Sequence, residues 1–230
     1  MKVIVFDLGG TLMEYVGMPH SWVDYYEQGF KAINQKYNLG ASESDISGFV
    51  EALKEFNPRV HYREEEYSPE YIFSKVMGNW QDQISIAECV STFFEGLNLN
   101  PIIYPDTVSA LTKLKSMGYR IAALTDLPTA MPDELFKKDI AILLEYFDLY
   151  VSSQSCGFRK PNSKGLQHIS AYYRVPMKEL IFVGDEEKDS KTAVNAGCRF
   201  ILINRKERVR DEICDLHELV RLIGNYKEYI

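Results

Sequence analysis

The chain has 230 residues, 46% hydrophobic and 26% charged, which suits one substantial folded core or a core with a smaller insert. Its net charge of −7 argues against a nucleic-acid groove, and no apolar run approaches the length of a bilayer span. The first apolar run, Val3 to Phe6, stops at an acid and is too short for a signal segment, so a cytoplasmic protein is expected, with neither nucleic acid nor membrane as a partner. A monomer or a homodimer is expected.

The chain opens on VIVFDLGGTL, residues 3–12. A strand over Val3–Phe6 would deliver the carboxylate of Asp7 into a turn holding Gly9 and Gly10. That layout suits an acid facing a phosphate-sized hole. Residues 14–99 then change character, with few β-rich runs and many helical ones. Trp22, Tyr25, Tyr26, Gly29, Phe30 and Ile33 recur at helical spacing, as do Phe49, Leu53 and Phe56, and Ile72, Phe73, Val76 and Met77. Such aromatic stripes are more often core than ligand cage. The run REEEY at 63–67 reads as a solvated helix face. Segments bearing Pro and Gly close both ends of the block, VGMP at 16–19 and NLNPIIYP at 98–105. A helical block inserted after the first strand, hinged close to Asp7, reads as a lid.

From residue 100 onward the pattern is β/α. Short β-rich runs fall at Arg120–Leu124, Leu149–Ser152, Leu180–Val183 and Phe200–Ile203. The clearest helix follows Asp106, with Val108, Leu111, Leu114 and Met117 three apart and Gly118 beyond. Asp106 is the expected N-cap and Gly118 the expected C′ residue. Strands alternating with helices predict a doubly wound, Rossmann-like parallel sheet covered on both faces. The chain is therefore read as an α/β core, residues 1–13 and 100–230, carrying an α-helical cap domain, residues 14–99. The cysteines Cys89, Cys156, Cys198 and Cys214 show no metal-ligand spacing and are expected as reduced, mostly buried thiols.

Ligands of open parallel α/β sheets sit at the carboxyl ends of the strands. There the sequence places Asp7, Thr125-Asp126, Lys160 in the loop GFRKPN, and Asp185 and Asp189 in GDEEKD. Each alone has a plainer explanation. Asp189 could cap a helix starting at Ser190, Thr125 could be a strand-end turn residue, and Lys160 an exposed loop lysine. Together, and in this order, they resemble the haloacid dehalogenase-like hydrolase superfamily, in the branch with a helical cap after the first motif. FDLGGTL resembles its first motif, IAALTD its second, GFRKPN its third and FVGDEEKDSKTAVNAG its fourth. The cap resembles the family only in position and helical character.

The resemblance implies a Mg²⁺-dependent phosphatase acting on a small phosphorylated metabolite. Asp7 would attack phosphorus and form an aspartyl-phosphate, splitting one difficult hydrolysis into two easier steps. Asp7, Asp185 and the Gly9 carbonyl would hold Mg²⁺, a cation that favours oxygen ligands. Lys160 would neutralise the acids and the incoming phosphoryl group. Thr125 would hydrogen-bond a phosphoryl oxygen, helped by the backbone N–H groups of Gly10 and Asp126. Asp189 would orient the metal's water shell or Lys160, with helix capping as the alternative. Thr11 is expected to support the loop.

Phosphatases of this family usually carry a second Asp where this chain has Gly9. That acid protonates the leaving oxygen, help typically worth about 10²–10⁴ in rate. Four readings of Gly9 stay open. A surrogate acid (Glu14, Tyr15 or His20) could come from near the hinge. The chain could cleave phosphonates through a Schiff-base lysine in the cap, Lys31 or Lys36. It could be a dehalogenase, though those members do not usually keep the paired acids of the fourth motif. Or it could bind phospholigands or a protein partner without turnover. A receiver domain would lack so large an insert, and DLGG lacks the spacing of a dinucleotide site.

Overall fold

The computed structural model describes residues 2–18, 21–206 and 212–225. Its strands are β1 (Val3–Phe6), β2 (Met13–Tyr15), β3 (Pro101–Ile103), β4 (Arg120–Thr125), β5 (Leu149–Ser152), β6 (Leu180–Gly184) and β7 (Arg199–Leu202). Five of them form a parallel sheet in the order β5-β4-β1-β6-β7, and β2 pairs with β3 separately. The doubly wound α/β class read from the sequence is the one found. Every main strand lies within one or two residues of its predicted place. Ile203, expected to end β7, instead makes an isolated bridge to Ile213.

Helices α1 (Tyr26–Tyr37), α2 (Glu43–Lys54), α3 (Pro69–Val76) and α4 (Ile86–Leu97) follow β2. The later helices are α5 (Thr107–Ser116), α6 (Asp133–Asp139), α7 (Ala141–Leu144), α8 (Ser153–Cys156), α9 (Lys164–Tyr173), α10 (Glu187–Ala196) and α11 (Leu216–Asn225). The chain divides into two compact units. One comprises residues 1–14, 101–126 and 137–230, and the other residues 15–100 and 127–136.

In the first unit β1 is central and entirely buried, which is why it reads as a continuous apolar run. Phe6 lies opposite Ala123 of β4 and Val183 of β6. Because the strands are parallel and in step, their carboxyl ends finish together. Val3, Val5, Leu124, Val151 and Phe182 pack with Leu166 and Ile169 of α9 and Ala193 of α10 on one face. The alternate residues Ile4 and Phe6 face the other way and are equally buried. Gly118 adopts a φ of 85° just past α5, as a C′ glycine should. Asp106, however, makes no side-chain cap bond to α5. Its carboxylate is committed elsewhere.

The second unit is held by aromatic packing. Phe30 of α1 is fully buried, with the rings of Phe93, Phe49, Trp80 and Phe73 centred 5.1, 5.7, 6.3 and 6.4 Å away. The expected stripe Tyr26, Gly29, Phe30 and Ile33 is buried, while Trp22 and Tyr25 are only half-buried. Phe30→Ala should lower unfolding free energy by about 3–5 kcal/mol, the usual result of opening a large cavity. A denaturant titration of the variant would measure it.

REEEY is not a solvated helix face. Residues 63–67 are irregular, and Arg63 and Glu66 pair at 2.9 Å with side chains only 11% and 6% exposed. Arg63 also stacks on Tyr67 and donates to the carbonyls of Phe56 and Glu65. Arg63 and Glu66 thus pair with each other and with nearby backbone, which periodicity alone does not reveal. All four cysteines are free thiols, Cys89 buried and the others half-buried. No helix among the described residues is long and apolar enough to cross a membrane.

Candidate active site

The turn after β1 is built by one carbonyl. Leu8 O accepts the N–H groups of Thr11, Leu12 and Met13 at 3.1, 2.8 and 3.1 Å. Gly10 takes a φ of 78°, which an L side chain rarely adopts. A Cβ there would also stand 2.1 Å from Asp185 Oδ2. The glycine thus lets the Asp185 carboxylate lie against the loop that carries Asp7. Thr11 is fully buried and donates its hydroxyl to Asp185 Oδ1 at 3.2 Å, the supporting part expected of it.

Lys160 lies at the centre of the cluster. Its Nζ is 2.7 Å from Asp7 Oδ1 and 2.6 Å from Asp189 Oδ1. Lys160, Asp7 and Asp189 are all buried, so Lys160 is no exposed loop lysine. Asp189 performs both duties that the sequence left open. Oδ1 takes Lys160, and Oδ2 accepts the Glu186 N–H at 3.0 Å in a capping box at the start of α10. That helix begins at Glu187, earlier than the Ser190 start foreseen.

Asp126 has a part that sequence reasoning missed. Its Oδ1 accepts the Lys160 backbone N–H at 3.0 Å, and its Oδ2 lies 3.4 Å from Lys188 Nζ. The side chain therefore pins the lysine loop. Lys188 also reaches Glu186 at 3.1 Å. Lys188 stands in GDEEKD, but nothing in the sequence pointed it at Asp126. Thr125 is buried at the end of β4, beside Ser152 of β5. The Gly10 N–H, foreseen as a phosphoryl donor, instead donates to Met13 O at 2.8 Å. The N–H groups of Leu8 and Gly9 donate to no acceptor among the described residues and stand immediately after Asp7.

The electrostatics follow from burial and an excess of acid. Burial raises the Asp7 carboxyl far above the usual carboxylate range; Lys160 opposes this, while Asp189 and Asp185 add to it. Asp185 is raised by burial and by Asp189 and Glu186. For Asp126, burial is outweighed by Lys160, Lys188 and Arg159, and its carboxyl is held low. Lys160 is desolvated, yet Asp189, Asp7 and Asp126 hold it well above the ordinary lysine value.

Oxygens of Asp7, Asp185 and Asp189 lie within 4.8 Å of one another. Asp189 has both oxygens engaged, whereas Asp7 Oδ2 accepts no hydrogen bond among the described residues. Three acids around one lysine, with two of the acids raised, form a donor set of hard oxygens short of positive charge. That set fits a divalent cation such as Mg²⁺, which Asp7 and Asp185 would hold. Gly10→Ala, which would push Asp185 aside, should lower Mg²⁺-supported turnover by ~10–100-fold, as titration of activity against Mg²⁺ would reveal.

The candidates for the missing acid are differently placed. Glu14 lies exposed on β2, near the Tyr104 phenol, which burial and then the Glu14 charge raise. Tyr15 packs edge-on against Trp22, 5.6 Å between ring centroids. His20 lies outside the described residues. Lys31 bridges Glu27 and Glu43, and Lys36 reaches Glu95 and Thr92. Hydrogen bonds to these glutamates raise both lysines. Both lie in exposed ion pairs, whereas a Schiff-base lysine is activated in a desolvated pocket.

Comparison with known proteins bears on the family of the chain. Residues 1–197 match the family of haloacid dehalogenase-like hydrolases. A phosphoglycolate phosphatase of Cereibacter sphaeroides is 27% identical over 213 residues, covering 90% of this chain and 87% of that protein. Another, from Aquifex aeolicus, is 28% identical over 217 residues, covering 88% and 84%. Among solved structures, a HAD phosphatase from Thermococcus onnurineus superposes with a TM-score of 0.65 at 22% identity, covering 97% of this chain and 98% of that one. At that identity the likeness bears on the fold alone. With its sheet, its four motifs and a match over residues 1–197, the chain belongs to the haloacid dehalogenase-like hydrolase family and is a hydrolase.

Proposed function

We propose that this hydrolase is a Mg²⁺-dependent phosphatase of small phosphorylated metabolites, with Asp7 as nucleophile. The observation that carries the reading is Lys160 bridging Asp7 and Asp189 in one buried cluster beside Asp185. One Asp7 oxygen would bond to phosphorus as the bond from phosphorus to the leaving oxygen breaks, giving an aspartyl-phosphate that water then hydrolyses. Lys160 would favour the ionised form of Asp7 against burial and offset charge on the transferring group in a site with little water. Thr125 and the N–H groups of Leu8, Gly9 and Asp126 would bind phosphoryl oxygens. Asp126 and Asp189 would hold Lys160 in place. When bound, Mg²⁺ would neutralise the phosphoryl oxygens and orient them. Residues 15–100 would serve as the cap that selects substrate.

The names of the relatives make 2-phosphoglycolate the first metabolite to try. The deciding experiment is phosphate release from 2-phosphoglycolate and from an aryl phosphate, with Mg²⁺ and with chelator. Release that needs Mg²⁺ supports the reading. Absence of release from either substrate sinks it. A second reading, binding without turnover, is favoured by one observation: Gly9 brings no proton donor to its position. Mg²⁺ and phosphate binding without product would establish that reading instead.

A further inference from the structure

We propose that Arg205 is a positioning residue for the Asp7 loop, acting through the Thr11 carbonyl. Its guanidinium donates Nε and Nη2 to Thr11 O at 2.9 and 2.7 Å. Nη1 meets both oxygens of Asp106, at 3.1 and 3.2 Å. The same guanidinium lies 3.9 Å from the centre of the Tyr104 ring. Arg205 and Asp106 side chains are only 13% and 11% exposed. Asp106 Oδ2 also accepts the Leu216 N–H at 2.7 Å, which is where the expected cap of α5 went.

The adjoining carbonyl is held just as firmly. Leu12 O accepts the Tyr104 N–H at 3.1 Å and the Thr107 hydroxyl at 2.9 Å. Two successive carbonyls of the loop are thus fixed by the segment 104–107 and by Arg205. On the other side of the same loop, Thr11 Oγ1 holds Asp185 and Gly10 lies against it. Arg205 therefore fixes a residue whose hydroxyl orients a proposed metal carboxylate. A guanidinium suits this, since its planar fork serves two acceptors and a ring face at once; an ammonium cannot. A part-buried charge held only for stability would need no acceptor in the loop that carries the nucleophile.

The inference rests on the proposed function through its readout. Wild-type protein, Arg205→Lys and Thr11→Val would be compared by melting temperature, by calorimetric titration with Mg²⁺ alone, and by kinetics. Both variants should bind Mg²⁺ about tenfold more weakly, the lower end of what partners of metal-holding side chains contribute. Each should lose kcat about tenfold, since the loop that carries Asp7 is disturbed. A role in stability alone would lower the melting temperature of Arg205→Lys and leave its Mg²⁺ affinity and kcat at wild-type values, overturning the proposal. Should Arg205→Lys fail to fold, Thr11→Val decides: wild-type Mg²⁺ affinity in that near-isosteric variant overturns the relay. Wild-type protein that neither binds Mg²⁺ nor turns over would remove the proposed function, and this inference with it. Wild-type binding matched by both variants would remove this inference alone.

Discussion

Asp7→Asn should abolish Mg²⁺-dependent phosphate release, with kcat falling by on the order of 10⁴–10⁶, as when a covalent nucleophile is lost elsewhere. An amide has nearly the shape of the carboxylate but cannot form the aspartyl-phosphate. Folding should not suffer. Burial raises the Asp7 carboxyl, so ionised Asp7 is less favourable in the folded chain than in the unfolded one. Its destabilising effect grows as pH climbs above the ordinary carboxylate value, about 4. At neutral pH in chelator, the variant should therefore melt at or above the wild-type temperature, with Lys160 still paired to Asp189. Steady-state kinetics and thermal melts on the same samples would separate the two effects. Wild-type turnover in Asp7→Asn would show that another group attacks phosphorus.

Gly9→Asp should speed hydrolysis of alkyl phosphates by about 10²–10⁴, the usual worth of general acid–base help, with much less effect on aryl phosphates. The position can take the side chain. Gly9 is exposed, its φ is not positive, and a Cβ there meets nothing within 4 Å. An alkoxide needs a proton as it leaves, whereas a phenolate leaves without one. A selective gain on the alkyl substrate would show that Gly9 marks a lost acid. Equal rates for both substrates in the wild type, unchanged by the substitution, would mean that another residue already donates the proton. Glu14, exposed on β2 near Tyr104, would then be the first to replace.

Much of this architecture was legible because each signal is local. Val3–Phe6 reads as a buried strand since every residue is apolar and an acid ends it. Gly118 reads as a helix terminus because a positive φ favours glycine there. The order Asp7, Thr125, Lys160, Asp185 placed the candidate groups at one sheet edge, and parallel strands in step brought them there. Charged side chains were read less well. Asp106 stands where an N-cap would, yet it binds Arg205 and Leu216, 99 and 110 residues away. Arg63 and Glu66 look like a solvated run and are a part-buried pair. Nothing near Lys188 in sequence announces Asp126.

By itself the sequence determined the strands, the glycines that turn them and the acids at their ends, because backbone preference and hydrophobic period act over a few residues. Only the tertiary structure decided which partner each buried charge takes. A long polar side chain can reach any group that folding brings within a few ångströms, and leaving it unpaired in the interior is costly. Asp189 shows both levels at once. One oxygen caps its own helix, as local sequence allowed, and the other holds Lys160, which folding alone brought to it.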